Sequence, residues 1–430
     1  MDNYINKLKI LINKGLFHIF GTNIINNIVS FFTNIIIVRF LTKGQYGIFS
    51  YANNALSLFE LVSGLGLISG LLQFCSEKRC ETEKYSIYKC GIVIGFFFNC
   101  ILFIGIFVYS KYGNIPISES AQYIKQLMFL PIFKFTFEFI ITILRVNKKN
   151  KEYAYLLNIN TVIYFMLACI GAYVFGITGT IMGRYIAYLL SICIGFYICK
   201  YDIINIINAN KLVSKLRKDL IKYSIICCGS NSISQLLYLL DVYLIGIFIK
   251  DSQVIASYKV ATLIPTVLSF IPLSIMVFIY PYFAEKNTDY IWIKQQCVKI
   301  LKILAVINAI ISISLFVSAP YIISILWGKE YADSVIPFRI LSINYFILAT
   351  FRIPCGNILA MLRKVNVNFI ISIVSGISNI ILDIILIKRF GSNGAAIATL
   401  FVVIVSSLMA FPYLVQYLNK NIMALKDMKK

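Results

Sequence analysis

"FLPIFKFTFEFIITILRVNKKNKEY", residues 129–153, begins as an apolar helix and ends as a basic loop. The apolar part is long enough to cross a bilayer, which takes about 20 residues of helix. Lys134 and Glu138 sit inside it, and "RVNKKNK" at 145–151 closes it with four cations. The pattern recurs along the whole chain. The protein has 430 residues, of which 59% are hydrophobic and 13% charged, against about 25% charged in a soluble domain. Its mean hydropathy is +0.82. Repeated apolar runs of span length and the lack of long polar stretches give one fold class, an all-α integral membrane protein.

Working outward from residue 129, the hydropathy pattern predicts twelve transmembrane helices. They lie at about 15–38, 46–73, 90–109, 122–145, 153–175, 178–199, 221–249, 255–283, 297–318, 335–362, 366–387 and 394–418. The basic N-terminus "MDNYINKLKILINKG" lacks a small-residue cleavage site. It is read as leading into an uncleaved first span.

Net charge is +22. In a soluble protein this would suggest nucleic acid, but here the cations gather in alternate short loops. With the N-terminus cytoplasmic, internal segments carry 27 of the 40 Lys and Arg. External loops carry seven: Arg39, Lys43, Lys111, Lys250, Lys329, Lys388 and Arg389. The remaining six lie within spans. This bias predicts a multi-pass membrane protein with both termini cytoplasmic. No nucleic-acid partner is expected. The 11 cysteines show no regular spacing, so neither a disulfide framework nor a zinc site is expected.

The chain also repeats itself. "FGITG" at 175–179 matches "FGSNG" at 390–394, an offset of 215, and "YGIFSYANNALSLF" from Tyr46 parallels "ASYKVATLIPTVLSF" from Ala256. Six spans per half is an even number, so the halves share one orientation as parallel repeats. The expected division is an N-terminal lobe, 1–205, with helices 1–6, and a C-terminal lobe, 206–430, with helices 7–12.

Polar residues form stripes on equivalent helices. Helix 1 carries His18, Thr22, Asn23, Asn26, Asn27, Ser30, Thr33 and Asn34. Helix 7 carries Ser224, Cys228, Asn231, Ser234, Gln235, Tyr238 and Asp241, and helix 11 adds Ser372, Ser375, Asn379 and Asp383. Spacings of three and four put each set on one face. One stripe could serve helix–helix hydrogen bonding; two dense stripes on equivalent helices favour a wet cavity between lobes.

Charges sharpen this reading. Lys125, Lys134, Arg184, Lys259, Arg339 and Arg352 fall within spans, as do Glu60, Glu138, Asp241 and Asp383. Each charge at a helix centre costs about 2.5–3.5 kcal/mol against lipid, so these groups must face protein, water or each other. Lys125 and Arg339 fit snorkelling at the external interface. Lys134 and Glu138, four apart, can reach each other, either bracing the helix or gripping cargo. Cations outnumber acids, which favours an anionic cargo. No G-x-x-x-x-G-K-[ST] loop is present, and a single histidine excludes two-histidine metal chemistry. Transport is expected rather than enzymatic activity, with no cofactor and no metal.

"NNIVSFFTNIIIVRFLTKGQYGIFSYANNALSLFELVSGLGLISGLLQF" at 26–74 resembles the first two helices of bacterial polysaccharide flippases of the O-antigen (Wzx-like) type. "LLDVYLIGIF" at 239–248, "IASYKVATLIP" at 255–265, "ILWGKEYADSVIPFRILS" at 325–342 and "SNIILDIILIKRFGSNGAAIATLF" at 378–401 fit the same family. The resemblance implies the fold of the multidrug/oligosaccharidyl-lipid/polysaccharide exporter superfamily, with two six-helix lobes around a V-shaped central cleft. It implies a flippase for undecaprenyl-diphosphate-linked oligosaccharide, feeding O-antigen (lipopolysaccharide) or capsule biosynthesis. A polysaccharide polymerase and a chain-length regulator would be its partners. Helix 1 lacks the deep arginines of lipid II flippases.

Candidates for the diphosphate are Lys259, Arg352, Lys134 and Arg184, with Arg39 matching a family motif at the end of helix 1. Asn23, Asn27, Asn231 and Gln235 are candidates for the sugars. Asp241, Asp383, Glu60 and Glu138 are candidate ion carriers, each with pairing to a cation as the plainer alternative. The runner-up function is a multidrug or cation exporter of the same superfamily. A polysaccharide polymerase or ligase fits less well, because the long external loop it would need is absent.

Overall fold

A computed structural model describes residues 16–77, 79–285, 289–362 and 364–427. The N-terminal "MDNYINKLKILINKG" and the side chains of His18, Asn23, Ser234 and Tyr238 lie outside what it describes. Among the described residues the chain is helical with no strand.

Within the first half, α1 (Leu16–Phe40) is followed by α2 (Lys43–Glu60), a break at 61–66, and α3 (Leu67–Ser76). Then come α4 (Glu81–Tyr112), α5 (Ala121–Gln126), α6 (Leu130–Val146), α7 (Asn150–Ile198) and the short α8 (Lys200–Asn208). Next is α9 (Ser214–Ile249). The second half continues with α10 (Ser252–Leu268), α11 (Phe270–Glu285), α12 (Tyr290–Leu326), α13 (Val335–Ile347), α14 (Ile353–Met361) and α15 (Val365–Asp427).

Six of these helices are long and apolar enough to cross a membrane, or eight when two bent pairs each count as one span. Two of them, α7 and α15, each hold two of the predicted spans. Gly176 has φ 61 and ψ −135, and Gly391 has φ 58 and ψ −132. L-residues avoid this conformation, so only glycine turns the chain there cheaply. The legs then run back along each other. A methyl group on Gly171 would overlap the carbonyl oxygen of Gly179, and one on Gly394 that of Leu386. Residues eight apart in a continuous helix would stand about 12 Å apart. The second legs of α7 and α15 raise the eight to ten, and two shorter apolar helices, Ile24–Phe40 and Leu239–Ile249, bring the number among the described residues to the twelve predicted spans.

The same geometry at Gly176 and Gly391 gives the repeat a physical basis. The start of the second span in each half agrees as well. Thr42 caps α2 in a capping box with Gln45, and Asp251 caps α10 through the Gln253 amide at 2.8 Å. Each cap supplies an acceptor that the free N–H groups of a first turn require.

The chain falls into two compact units, Met1–Leu239 and Leu240–Lys430. Most of α9 therefore packs with the first unit, beyond the 205/206 division expected from six helices per half. In the first unit, Leu71, Tyr88, Phe139, Ile140, Ile143 and Leu156 form the buried core. In the second, Phe283, Ile293, Ile358, Leu359, Ala410 and Leu414 do so. Side chains such as Phe97, Tyr173, Val306 and Leu408 are exposed on the outer helix faces, as lipid contact requires.

On the basic side of the first unit, the buried Asp202 of α8 accepts from Asn147 at 3.2 Å, and from Tyr85 and Lys149 at 3.4 Å. Lys89 donates to the carbonyls of Ile207 and Ala209 at 2.7 Å each, satisfying the end of α8.

Candidate functional site

The break between α2 and α3 shapes the interior of the first unit. Gly64, Leu65 and Gly66 all have positive φ, at 55°, 51° and 70°. This conformation is strained for a leucine. It frees the carbonyl of Leu61, which accepts from Ser232 Oγ at 2.7 Å on α9. Ser63 donates to Asn99 Oδ1 at 2.9 Å on α4. Non-helical backbone at membrane depth is tolerated where it is buried or lines a cavity, and here it lines one. The cavity holds about 700 Å³, within the range of ligand sites. The break supplies Leu61, Ser63 and Gly66. Ser57 and Glu60 come from α2, Ser69 from α3, and Asn231 and Gln235 from α9. From α6 come Lys134, Glu138, Thr142 and Arg145, and Tyr153 opens α7.

The expected Lys134–Glu138 pair is not what forms. Lys134 Nζ bonds Glu60 Oε2 at 2.8 Å across to α2. The reason is burial. The Glu60 side chain is only 9% exposed and cannot remain charged without a cation, whereas the half-buried Glu138 fronts the cavity. Arg184 lies behind this wall, donating from Nη1 to Asn53 Oδ1 at 3.0 Å, and does not line the cavity. Asn27 and Arg39 are exposed on α1. Arg145 and Tyr153 were missed as site residues, because a cation at a helix end reads as a loop charge. Their signal was the spacing 134, 138, 142 and 145 along one face of α6.

In the second unit the polar groups are arranged differently. Asp241 on α9 is buried and accepts from the Tyr258 hydroxyl and, at 2.9 Å, from Thr399 Oγ1. Its carboxyl also meets the side chains of Asp383 and Asn379. Asp383 is fully buried, and neither of its oxygens finds a donor among the described residues. Two adjoining buried carboxyls cannot both be ionised without a proton or a cation to share.

Lys259 follows Tyr258 in sequence and is half-buried; no hydrogen bond or ion pair reaches its ammonium group among the described residues. Arg352 ends a π-turn, Leu348–Arg352, with its guanidinium against Gly356. The second unit thus brings Asp241 and Asp383 together, and the first brings together Lys134, Glu60, Glu138, Asn231 and Gln235.

These features define a class: a multi-pass helical membrane protein of two repeated halves, each with charged groups held in its interior. The chain belongs to the polysaccharide biosynthesis protein family, whose model matches residues 12–287. Its fold is similar to that of the lipid II flippase MurJ in an inward closed conformation. That match has a TM-score of 0.76 at 16% identity, over 93% of this chain and 88% of that one.

An inward-facing multidrug resistance MATE family transporter of the MOP superfamily matches with a TM-score of 0.73 at 12% identity, over 92% and 95% of the two chains. A MOP superfamily transporter from Pyrococcus furiosus matches at 0.59 and 12% identity, over 93% and 94%. Comparison with curated protein sequences gives no match. Family and superfamily fold agree with the resemblance read from residues 26–74 and 239–401.

Proposed function

We propose that this protein is a flippase. It carries undecaprenyl-diphosphate-linked oligosaccharide repeat units, of O-antigen, capsule or a similar glycan, from the cytoplasmic to the external leaflet of the bacterial inner membrane. The observation that carries this reading is the 700 Å³ cavity built on a broken span, with polar walls and cations. A sugar hydroxyl moved into hydrocarbon without a partner costs about 4–8 kcal/mol. Ser57, Ser63, Ser69, Asn231 and Gln235 offer replacement partners. Membership of a polysaccharide biosynthesis family and a fold like that of a lipid II flippase support the same cargo class.

In this reading the diphosphate is held by cations. Lys259 is the first candidate, being an interior ammonium with no hydrogen bond or ion pair among the described residues. Arg352 follows, and Arg145 is a separate candidate at the mouth of the first unit's cavity. Lys134 contributes less, because Glu60 already neutralises it. Arg184 sets the charge behind the wall. Both termini are cytoplasmic, and the lobes 1–205 and 206–430 alternate access to the two sides. Polymerase and chain-length regulator act downstream as partners, and the chain itself catalyses no bond change.

Asp241 and Asp383 carry the coupling ion, a proton or sodium, shared with Tyr258, Asn379 and Thr399. An inside-negative potential adds about 2.3 kcal/mol per charge per 100 mV for outward movement of the diphosphate.

The second reading, a multidrug or cation exporter, draws on the fold shared with a MATE family transporter and on the same two acids. The cation excess within the spans weighs against it. Deletion of the gene separates the two: the flippase reading expects lipid-linked repeat units to accumulate on the cytoplasmic face. Normal glycan export in a strain with no redundant transporter would overturn it. Lys259→Ala beside Lys259→Arg, at matched expression, tests the phosphate contact. Alanine should reduce export at least about tenfold and arginine should restore most of it.

A further inference from the structure

Glu138 is the acid lining the cavity whose carboxylate makes no hydrogen bond or ion pair, among the described residues. Its nearest cation in sequence, Lys134, is committed to Glu60 at 2.8 Å. Only its backbone carbonyl is engaged, accepting from Thr142 Oγ1 at 2.7 Å. Arg184, the other interior cation of this unit, is turned to Asn53. Lys134 and Arg184 balance the two carboxylates overall, but both are bonded elsewhere, so the Glu138 carboxylate is the one left open to the cavity. Arg145 lies two turns further along α6, about 10 Å away, exposed at the mouth. The long axis of the cavity thus has a cation at its mouth and a carboxylate within.

We propose, resting on the flippase reading above, that Glu138 reads the sugars nearest the diphosphate. It selects cargo that is neutral or amino-bearing there over cargo bearing a carboxylate. With the diphosphate at Arg145, the first one or two sugars lie beside Glu138. A carboxylate with two free oxygens accepts from a pair of neighbouring hydroxyls, and charge-assisted bonds of this kind are about twice as strong as neutral ones. An ammonium on the sugar would bind it more strongly still. A uronic acid at the same place would set two like charges together in a poorly solvated cavity, where Lys134 is already bonded to Glu60. Acidic sugars further from the lipid escape this test.

The experiment uses the full chain in proteoliposomes with two radiolabelled cargoes. One is an undecaprenyl-diphosphate-linked disaccharide of N-acetylhexosamine and hexose. The other has hexuronic acid as its second sugar. The wild type should move the neutral cargo on the order of tenfold faster. Glu138→Gln should bring the two rates within about twofold of each other, by slowing the neutral cargo modestly and speeding the acidic one. Glu138→Asp, which keeps the charge, should retain the wild-type preference.

Equal wild-type rates for the two cargoes overturn the inference and leave the flippase reading standing. So does a Glu138→Gln variant that slows both cargoes in proportion. A wild type that moves neither cargo above protein-free vesicles overturns the flippase reading, and this inference with it.

Discussion

The two halves of this chain share one backbone plan but solve the problem of buried charge in opposite ways. In the first, Glu60 has Lys134 at 2.8 Å, and Arg184 is built in permanently against Asn53. In the second, Asp241 and Asp383 adjoin hydroxyl and amide groups and form no ion pair among the described residues, with Lys259 acting on Asp241 through its charge alone. The offset of 215 set by Gly176 and Gly391 makes this specific: Arg184 falls opposite Thr399, Tyr164 opposite Asn379, and Ala168 opposite Asp383. Where the first half places a guanidinium, the second places a hydroxyl beside two adjoining acids. Duplicated folds can therefore divide labour: in the proposed function ion exchange falls to the second half, while cargo contacts draw on the cavity of the first and on Lys259 and Arg352 of the second.

Breaking the carboxyl pair should have the largest effect. Asp383→Asn should reduce ion-driven transport more than tenfold. Its melting temperature should hold or rise, because replacing a buried acid without donors removes a desolvation cost. A large drop in melting temperature would mark Asp383 as structural.

The ion pair of the first half should respond the other way. Glu60→Ala leaves Lys134 uncompensated and should destabilise the protein by about 3 kcal/mol. The double variant Glu60→Leu/Lys134→Met should recover most of that loss in thermal unfolding.

Smaller and nearly equal costs are expected from Gly176→Ala and Gly391→Ala, about 1–3 kcal/mol each. At Gly391 nothing lies within 4 Å of an added methyl, so its cost is backbone strain alone. Markedly unequal values would show that the two reversals are not equivalent.

The last prediction concerns orientation and changes no stability. Cys80 is exposed in the loop before α4, and the neighbouring Thr82 hydroxyl holds its thiol below the ordinary range. An impermeant maleimide should label it only in permeabilised cells. Asp289→Cys in a Cys80→Ser background should behave the same way, as parallel repeats require.

Much of the fold could be read from the sequence. Apolar length located the spans, and "FGITG" and "FGSNG" fall at both reversals; the basic loop at 200–220 reads as the midpoint, whereas the compact units divide at 239/240. Lys134, Glu138, Glu60, Asn231 and Gln235 were named from their types and now line one cavity. The partner of Lys134 was not readable, because spacing within a helix ranks Glu138 first while burial across helices favours Glu60. The break at 61–66 was also missed. "SGLG" there looks like small residues for packing, and only its three positive φ values show an opened helix. Asp241 and Asp383 read from the sequence as separate carriers; their meeting depends on how α9 and α15 pack, which local spacing does not encode.

The most direct test of this division of labour is transport of lipid-linked oligosaccharide in proteoliposomes, with and without an imposed proton or sodium gradient. The wild type should accelerate under one of these gradients, and Glu138→Gln should respond to the same gradient. Asp383→Asn should show a residual rate that the gradient does not change. An Asp383→Asn variant that responds to the gradient as the wild type does would contradict the assignment of ion exchange to the second half.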